Sequence, residues 1–312
     1  MNDLDMEHLI TNLQAPTVGE RMMAIQALGK SRDARAIQPL ITALSDDAVM
    51  LRTAAVNALT MMGEPATNDL ITALQEGDDL LRTGAAKILG TIGGLKASEA
   101  LQNALRDSNS RVRALAAEGL GAIADAKSVD VLIETLEDPD KQVVVRTVTT
   151  LGKLRAKQAV EPLIRLVKAH QDMIRHMAVW ALGEIGDARA VPDILLALIE
   201  DCETHTIDFG LEINDLSSQH AHLMAGNDAS GDSNRPDVEI AALVKIGQPA
   251  LLPLLNILPK AKSSVRAYAL MGIAAIDPTE GLMASTIAIE DTDRFVRHIA
   301  TQIYRRLSPQ QD

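Results

Sequence analysis

Arginine recurs at residues 21, 52, 82, 113, 175, 266 and 297 of this chain, always just before a helix rich in small residues. Guanidinium groups at a regular interval serve either as a ladder for anionic ligands or as a set of structural clamps. Each stands beside a preceding turn, commonly an acidic one, where forked hydrogen bonds to carboxylates or carbonyls can bridge neighbouring units, so the structural reading is preferred. Glycines 29, 90, 121, 152 and 183 also recur and suggest phosphate loops. No strand pattern precedes them and no GxxxxGK[ST] occurs, so close helix approach or left-handed helix ends account for them better. Three of the seven histidines, His205, His220 and His222, gather with Cys202 and several acids in residues 200–236. His-x-His is a usable ligand spacing, but no second fixed pair supports it, so these three are weak metal candidates and no metal or cofactor is expected. With no GxSxG and no HExxH, the sequence offers no catalytic residue.

These residues are placed by a repeat. Aligned on a Leu-Gly step, the arginine slot falls at 21, 52, 82, 113, 144, 175, 236, 266 and 297. The steps are 31, 30, 31, 31, 31, 61, 30 and 31, so the period is about 31 residues and the 61 implies a degenerate unit near 206. Val144 and Pro236 depart from arginine in this slot, and Arg146 lies two residues late, aimed elsewhere.

Each period divides into two helices. In one of the first helices Arg113, Ala116, Ala117, Leu120 and Ile123 form a single apolar stripe at three- and four-residue spacing. Asp33, Asp125, Asp187 and Asp277 then open turns in which a carboxylate can accept from the free amides of the second helix. Pro39, Pro162 and Pro253 are expected in the first turn of their second helices. The pattern of acidic turn, Val-Arg, Ala-rich helix, Leu-Gly-x-Ile-Gly-Asp and Ala-Val-x-Pro-Leu-Ile resembles the HEAT-like repeat named after phycobilisome lyases, over nearly the whole chain. The resemblance implies an all-α fold, a right-handed α-α superhelix or HEAT-like solenoid of about ten two-helix repeats, with an Arg–Asp ladder between units. One domain spanning residues 1–312 is expected, with the degenerate repeat or insertion at 200–236. The chain opens on a lone second helix and closes on a lone first helix, as solenoid caps do. Some HEAT-like proteins are di-iron hydroxylases built on His-Glu pairs, and this sequence has no His-Glu dipeptide.

Composition narrows the partners. The formal charge is −12, from 42 acidic and 30 basic residues, and aromatics are 2%. Such a surface repels phosphate backbones and has few rings to stack on bases, which argues against nucleic acid. A lone cysteine forms no intrachain disulfide, and no apolar run nears the roughly 18 residues of a membrane span. A cytoplasmic protein is the expectation, and oligomeric state is left open.

By the same resemblance, second helices line a concave, partner-binding face. One solvent-facing position of that helix reads Thr42, Thr72, Asn103, Glu134, Arg165, Leu196, Asn256 and Ser285. The position four residues earlier reads Gln38, Asn68, Glu99, Asp130, Glu161, Pro192, Leu252 and Gly281. Glu99, Asp130, Glu134, Glu161, Arg165, Leu196 and Leu252 are therefore the candidate partner-binding residues, an acidic stretch followed by an apolar one. Trp180 joins them because its slot is polar in other units and Trp is favoured at binding hot spots. The expected function is a non-catalytic scaffold or adaptor for a partner protein. The alternative, implied by the repeat family, is a subunit of a bilin lyase/isomerase acting on a phycobiliprotein.

Overall fold

A computed structural model describes residues 3–169, 173–204 and 237–308. Among them every regular element is a helix. The chain forms two compact units, Met1–Thr150 and Leu151–Asp312. In the first, α1 (Asp3–Asn12) is a lone second helix, followed by the pairs α2 (Val18–Ser31) with α3 (Ile37–Thr42), α4 (Val49–Met62) with α5 (Thr67–Glu76), α6 (Asp79–Ile92) with α7 (Leu95–Ala104), and α8 (Ser110–Ile123) with α9 (Val129–Thr135). The chain passes into the second unit within α10 (Lys141–Lys153). That unit holds α11 (Val160–Ala169), α12 (Met173–Ile185), α13 (Val191–Thr204), α14 (Asp237–Ile246), α15 (Gln248–Ile257), α16 (Ser263–Ile276), α17 (Pro278–Ala288) and the lone first helix α18 (Arg294–Leu307).

Within each unit first helices pack on first helices and second helices on second helices: α2 on α4, α4 on α6 and α6 on α8, then α12 on α14, α14 on α16 and α16 on α18. This is the α-α superhelix class that the repeat predicts. A buried aliphatic marks the seam in every first helix but α18, at Leu28, Leu59, Leu89, Leu120, Leu151, Leu182, Leu243 and Ile273. Each such burial is worth about 1.5–3 kcal/mol. Between the seams the helices touch at small residues. A Cβ on Gly90 would stand 2.7 Å from the Gly119 Cα, so α6 and α8 meet backbone to backbone. Gly29, Gly121, Gly152 and Gly183 face their neighbouring first helices in the same way, which gives these glycines a packing role.

The turns are clamped by the arginines, in a pattern finer than the sequence reading. Arg21, Arg82, Arg113 and Arg266 each reach an aspartate 25 residues ahead, in the following turn: Asp46, Asp107, Asp138 and Asp291. For Arg113 the fork is Nε to Asp138 Oδ2 at 2.6 Å and Nη2 to Oδ1 at 2.9 Å, while Nη1 donates to the Asp107 carbonyl at 2.8 Å. One guanidinium thus joins the preceding turn through a carbonyl and the following turn through a carboxylate. The same aspartates also hold their own turns, Asp107 Oδ1 accepting from the Asn109 amide at 2.8 Å and Asp291 Oδ1 from the Asp293 amide at 2.8 Å. Where position +25 is not acidic the clamp is partial: Arg52 faces Gly77 there and binds only the carbonyls of Asp46 and Asp47. Val144 and Ala169 lose both ends of the pair together, and Arg146 turns to Glu118 on the exposed side at 3.3 Å.

The second-helix starts follow expectation in part. Asp33, Asp125 and Asp187 cap short 3₁₀ turns by accepting from the amides of Arg35, Lys127 and Arg189, and Asp277 accepts from those of Thr279 and Glu280. Pro253 is a correction. With no 3₁₀ turn between Gly247 and α15, that helix begins at Gln248 and Pro253 falls in its interior.

The 61-residue step leaves two readings, a degenerate repeat or an insertion at 200–236. A rung near 206 would separate α12 from α14, yet these helices pack directly on each other. A Cβ on Gly183 of α12 would stand 2.7 Å from the Ala242 Cα of α14, the same approach that Gly152 of α10 makes to Ala181 of α12. Helices α12 and α14 are therefore direct neighbours in the stack. Residues 205–236 lie outside the described residues.

Two outcomes follow from the ladder. Arg113→Met is expected to cost about 1–3 kcal/mol, because it leaves the largely buried Asp138 without its forked donor. Arg52→Met, with no carboxylate to abandon, is expected to cost about 1 kcal/mol or less; urea midpoints of the two variants compare them directly. The Arg266 fork holds Asp291 below its ordinary value of 3.8. A lowered carboxyl stabilises the fold above its unfolded value and loses that contribution as pH falls towards its folded value. Asp291→Asn should accordingly lower the thermal midpoint at pH 6 and matter progressively less below pH ~4, as melts across that range would register.

Candidate functional site

Alternation on the second helices decides what they present. In the first unit, positions four residues apart alternate with the buried Leu and Ile stripe, leaving Glu99 exposed on α7 and Asp130 and Glu134 exposed on α9. Glu134 is paired with Arg106 at 3.1 Å, with both side chains about two-thirds exposed, so the pair is solvated and weak. In the second unit Glu161 and Arg165 are exposed on α11, and the Glu161 carboxylate lies 3.9 Å from Arg189.

The same face of the second unit then becomes apolar. Leu196 on α13 is 49% exposed and Leu252 on α15 is 65% exposed, both where the sequence places solvent-facing leucines. The next helix carries a correction. Gly281 and Ser285 are buried, because α17 descends onto α16 at Gly281, where a Cβ would stand 2.4 Å from the Ala274 Cα. The positions one period beyond Leu252 and Asn256 are Met283 and Ile287, exposed by 58% and 79%. Four large apolar side chains on three successive second helices thus face solvent, two of them missed from the sequence because the last hairpin was read two residues out of phase.

Trp180 lies elsewhere. It is half-buried on a first helix, its ring against Gly152 of α10, where a Cβ would meet Cζ3 at 2.8 Å. Cys202 is buried in α13, and His205, His220 and His222 fall outside the described residues. A further apolar surface runs between α2 and α4, lined by Met22, Met50 and Met61.

A second constellation, unanticipated in the sequence, sits where α12, α13 and α14 meet. Arg175 occupies the ladder slot but is 4% exposed, with Nη2 3.0 Å from Glu200, 3.2 Å from Asp201 Oδ1 and 3.1 Å from the Ala197 carbonyl. Beside it the His176 Nε2 is 3.6 Å from Asp201 Oδ2. Glu239 of α14 completes the group and is fully buried, its two carboxylate oxygens without a hydrogen-bond partner among the described residues. Three positions after the arginine slot, this is the place held by Ala24, Ala55, Ala85, Ala116, Thr147, Ala178, Ala269 and Ala300 in the other rungs, all buried. A carboxyl at a position reserved for small residues is the signal the sequence carried. Burial, reinforced by the neighbouring Asp201, pushes Glu239 up to about 7. Burial works against ionised Asp201 as well, but the His176 hydrogen bond and the Arg175 charge outweigh it and hold that carboxyl below its ordinary value. One ligand atom from each of His176, Asp201 and Glu239 lies within 4.8 Å of the others.

The repeat and its geometry agree with the known proteins that the chain matches. The HEAT-repeat model matches residues 6–86, 67–147 and 129–207, and the chain belongs to that family of HEAT repeats. Kap121p bound to Nup53p aligns with 97% of this chain and 37% of its own, at 13% identity and a TM-score of 0.64. YibA of E. coli aligns over 88% of this chain and 92% of its own, at 16% identity and a TM-score of 0.53. The CpcE–CpcF complex of phycocyanin lyase from Nostoc sp. PCC7120 aligns over 88% and 96%, at 21% identity and a TM-score of 0.38. No curated protein matches the chain. These likenesses concern the fold.

Glu239 yields a prediction with a definite sign. Its folded value, about 7, exceeds its ordinary 4.5, so the folded state holds a proton that the unfolded state releases between those values. The stability cost is absent below the lower value, grows through the window and is complete above the upper one. Glu239→Gln in chelator-treated protein is expected to raise the thermal midpoint at pH 8 and to leave it nearly unchanged at pH 4.5, measured by circular dichroism.

Proposed function

We propose that this chain is a non-catalytic scaffold that engages a partner protein through the exposed faces of its second helices. The observation that carries the reading is the apolar row Leu196, Leu252, Met283 and Ile287. Isolated exposed leucines are ordinary, but large apolar side chains at two positions four residues apart on successive helices are a surface that a partner helix or strand can cover. The exposed Glu161 and Arg165 on α11, with Glu99, Asp130 and Glu134 on the helices of the first unit, supply polar, charge-selective contacts of the kind found at interface rims. HEAT proteins such as Kap121p, solved with Nup53p and with the extreme C-terminus of Cdc14p, are an instance of the fold binding partner proteins. A partner protein rather than nucleic acid also suits the net charge of −12. No helix of the described residues is long and apolar enough to cross a membrane, and the cytoplasm is the compartment we assign.

The test is co-purification from the native host of tagged wild-type chain and the double variant Leu196→Asp/Leu252→Asp. The wild type is expected to retain a stoichiometric protein partner that the variant loses while keeping its helical signal. Equal recovery of that partner by both forms, or its replacement by a bound bilin visible in the absorbance spectrum, would count against the scaffold reading.

A further inference from the structure

We propose that His176, Asp201 and Glu239 bind one divalent transition-metal ion through the imidazole and the two carboxylates. The first reason is the orphaned acid. Glu239 is fully buried with neither oxygen partnered among the described residues, and it replaces the alanine or threonine of the other rungs. Buried polar groups are nearly always paired, and an unpaired carboxylate costs several kcal/mol or must find a cation or a proton. The second reason is convergence. The three donor atoms lie within 4.8 Å of one another, on three different helices. Metal–ligand bonds of about 2.0–2.2 Å require donors roughly 3–4 Å apart, so side-chain rotations of under about 1 Å close the set.

Charge and surroundings fit the same ion. Two carboxylates and a neutral imidazole balance a divalent cation, while the Arg175 guanidinium is matched by Glu200 at 3.0 Å. Arg175 also fixes Asp201 through Oδ1 at 3.2 Å, which leaves Oδ2 turned to His176. This is the role an outer partner plays in orienting a metal-bound carboxylate. His176 and Asp201 are each about 15% exposed, so an ion can enter past them and keep water on its remaining positions. One nitrogen and two oxygen donors suit Mn²⁺, Fe²⁺, Co²⁺ or Zn²⁺ better than Mg²⁺, which favours oxygen alone. Asp201 stands near the end of α13 and Glu239 near the start of α14, with His176 on α12. The ion would pin together these three helices.

The test uses the full chain, stripped with chelator, and titrates it with Co²⁺, Mn²⁺ and Zn²⁺ by calorimetry, with the visible bands of Co²⁺ as a second readout. We expect one equivalent to bind, affinity to fall at least tenfold in both Glu239→Gln and His176→Gln, and the His220→Ala/His222→Ala variant to bind as wild type. Glu239→Gln keeps the side chain's volume while removing the carboxylate donor, and circular dichroism checks that it folds. Should it not fold, His176→Gln, at a partly exposed position, decides on the same readouts. Absence of stoichiometric binding overturns the proposal, and so does equal affinity of the wild type and the folded variants, or loss of binding only when His220 and His222 are removed.

Discussion

The structure depends on the close approach of neighbouring first helices at a small residue. Gly90 against Gly119 is this contact with no side chain on either helix, and Gly29 against Ala58 or Gly152 against Ala181 repeat it with one methyl more. Because helix backbones meet there, the seam leucines beside them are buried, and each turn is brought to the distance at which an arginine spans two of them. The forks from Arg21, Arg82, Arg113 and Arg266 are then consequences of a spacing already set by packing. Val144 illustrates the order of causes: with the fork gone, its rung still stacks, through buried Val143, Val148 and Leu151.

Much of this was legible in the sequence, because a period of about 31 residues repeats the same physical demand many times. The seam leucines, the close-approach glycines and the capping aspartates all fall where the pattern puts them. What a linear pattern cannot carry is which helix lies beside which. The 61-residue step equals two periods and so leaves open an extra rung or an insertion, but adjacency is decided by packing, and Gly183 meets Ala242 across that step as Gly152 meets Ala181 across a single one. The last hairpin failed for a related reason. Its second helix is apolar nearly all round, so no amphipathic stripe distinguishes Gly281 and Ser285 from Met283 and Ile287, and the contact at Ala274 settles the register.

The exposure on which the proposed surface rests was half legible. Exposed leucines at 196 and 252 stand out against polar residues at the same positions of other rungs, and that contrast needs no coordinates. Glu239 is different. As one acid among 42 it carries no weight, and its meaning comes from the alanines and threonine at the equivalent positions and from the arrival of His176 and Asp201 from other helices. Both features belong to the second unit, and the Arg175 cluster draws on the end of α13 and the start of α14. The picture is of a regular repeat with one junction rebuilt: the ladder arginine kept, its single aspartate replaced by a group of acids, and α12 and α14 in direct contact.

Replacing residues 206–235 with a short Gly-Ser linker tests that picture most directly. If α14 is the true neighbour of α12, the shortened chain keeps its helical signal in circular dichroism and melts in a cooperative transition within a few degrees of the full chain. Loss of helical signal, or collapse of the transition to a broad slope, would mean that the removed residues supply a rung of the stack and would contradict the account.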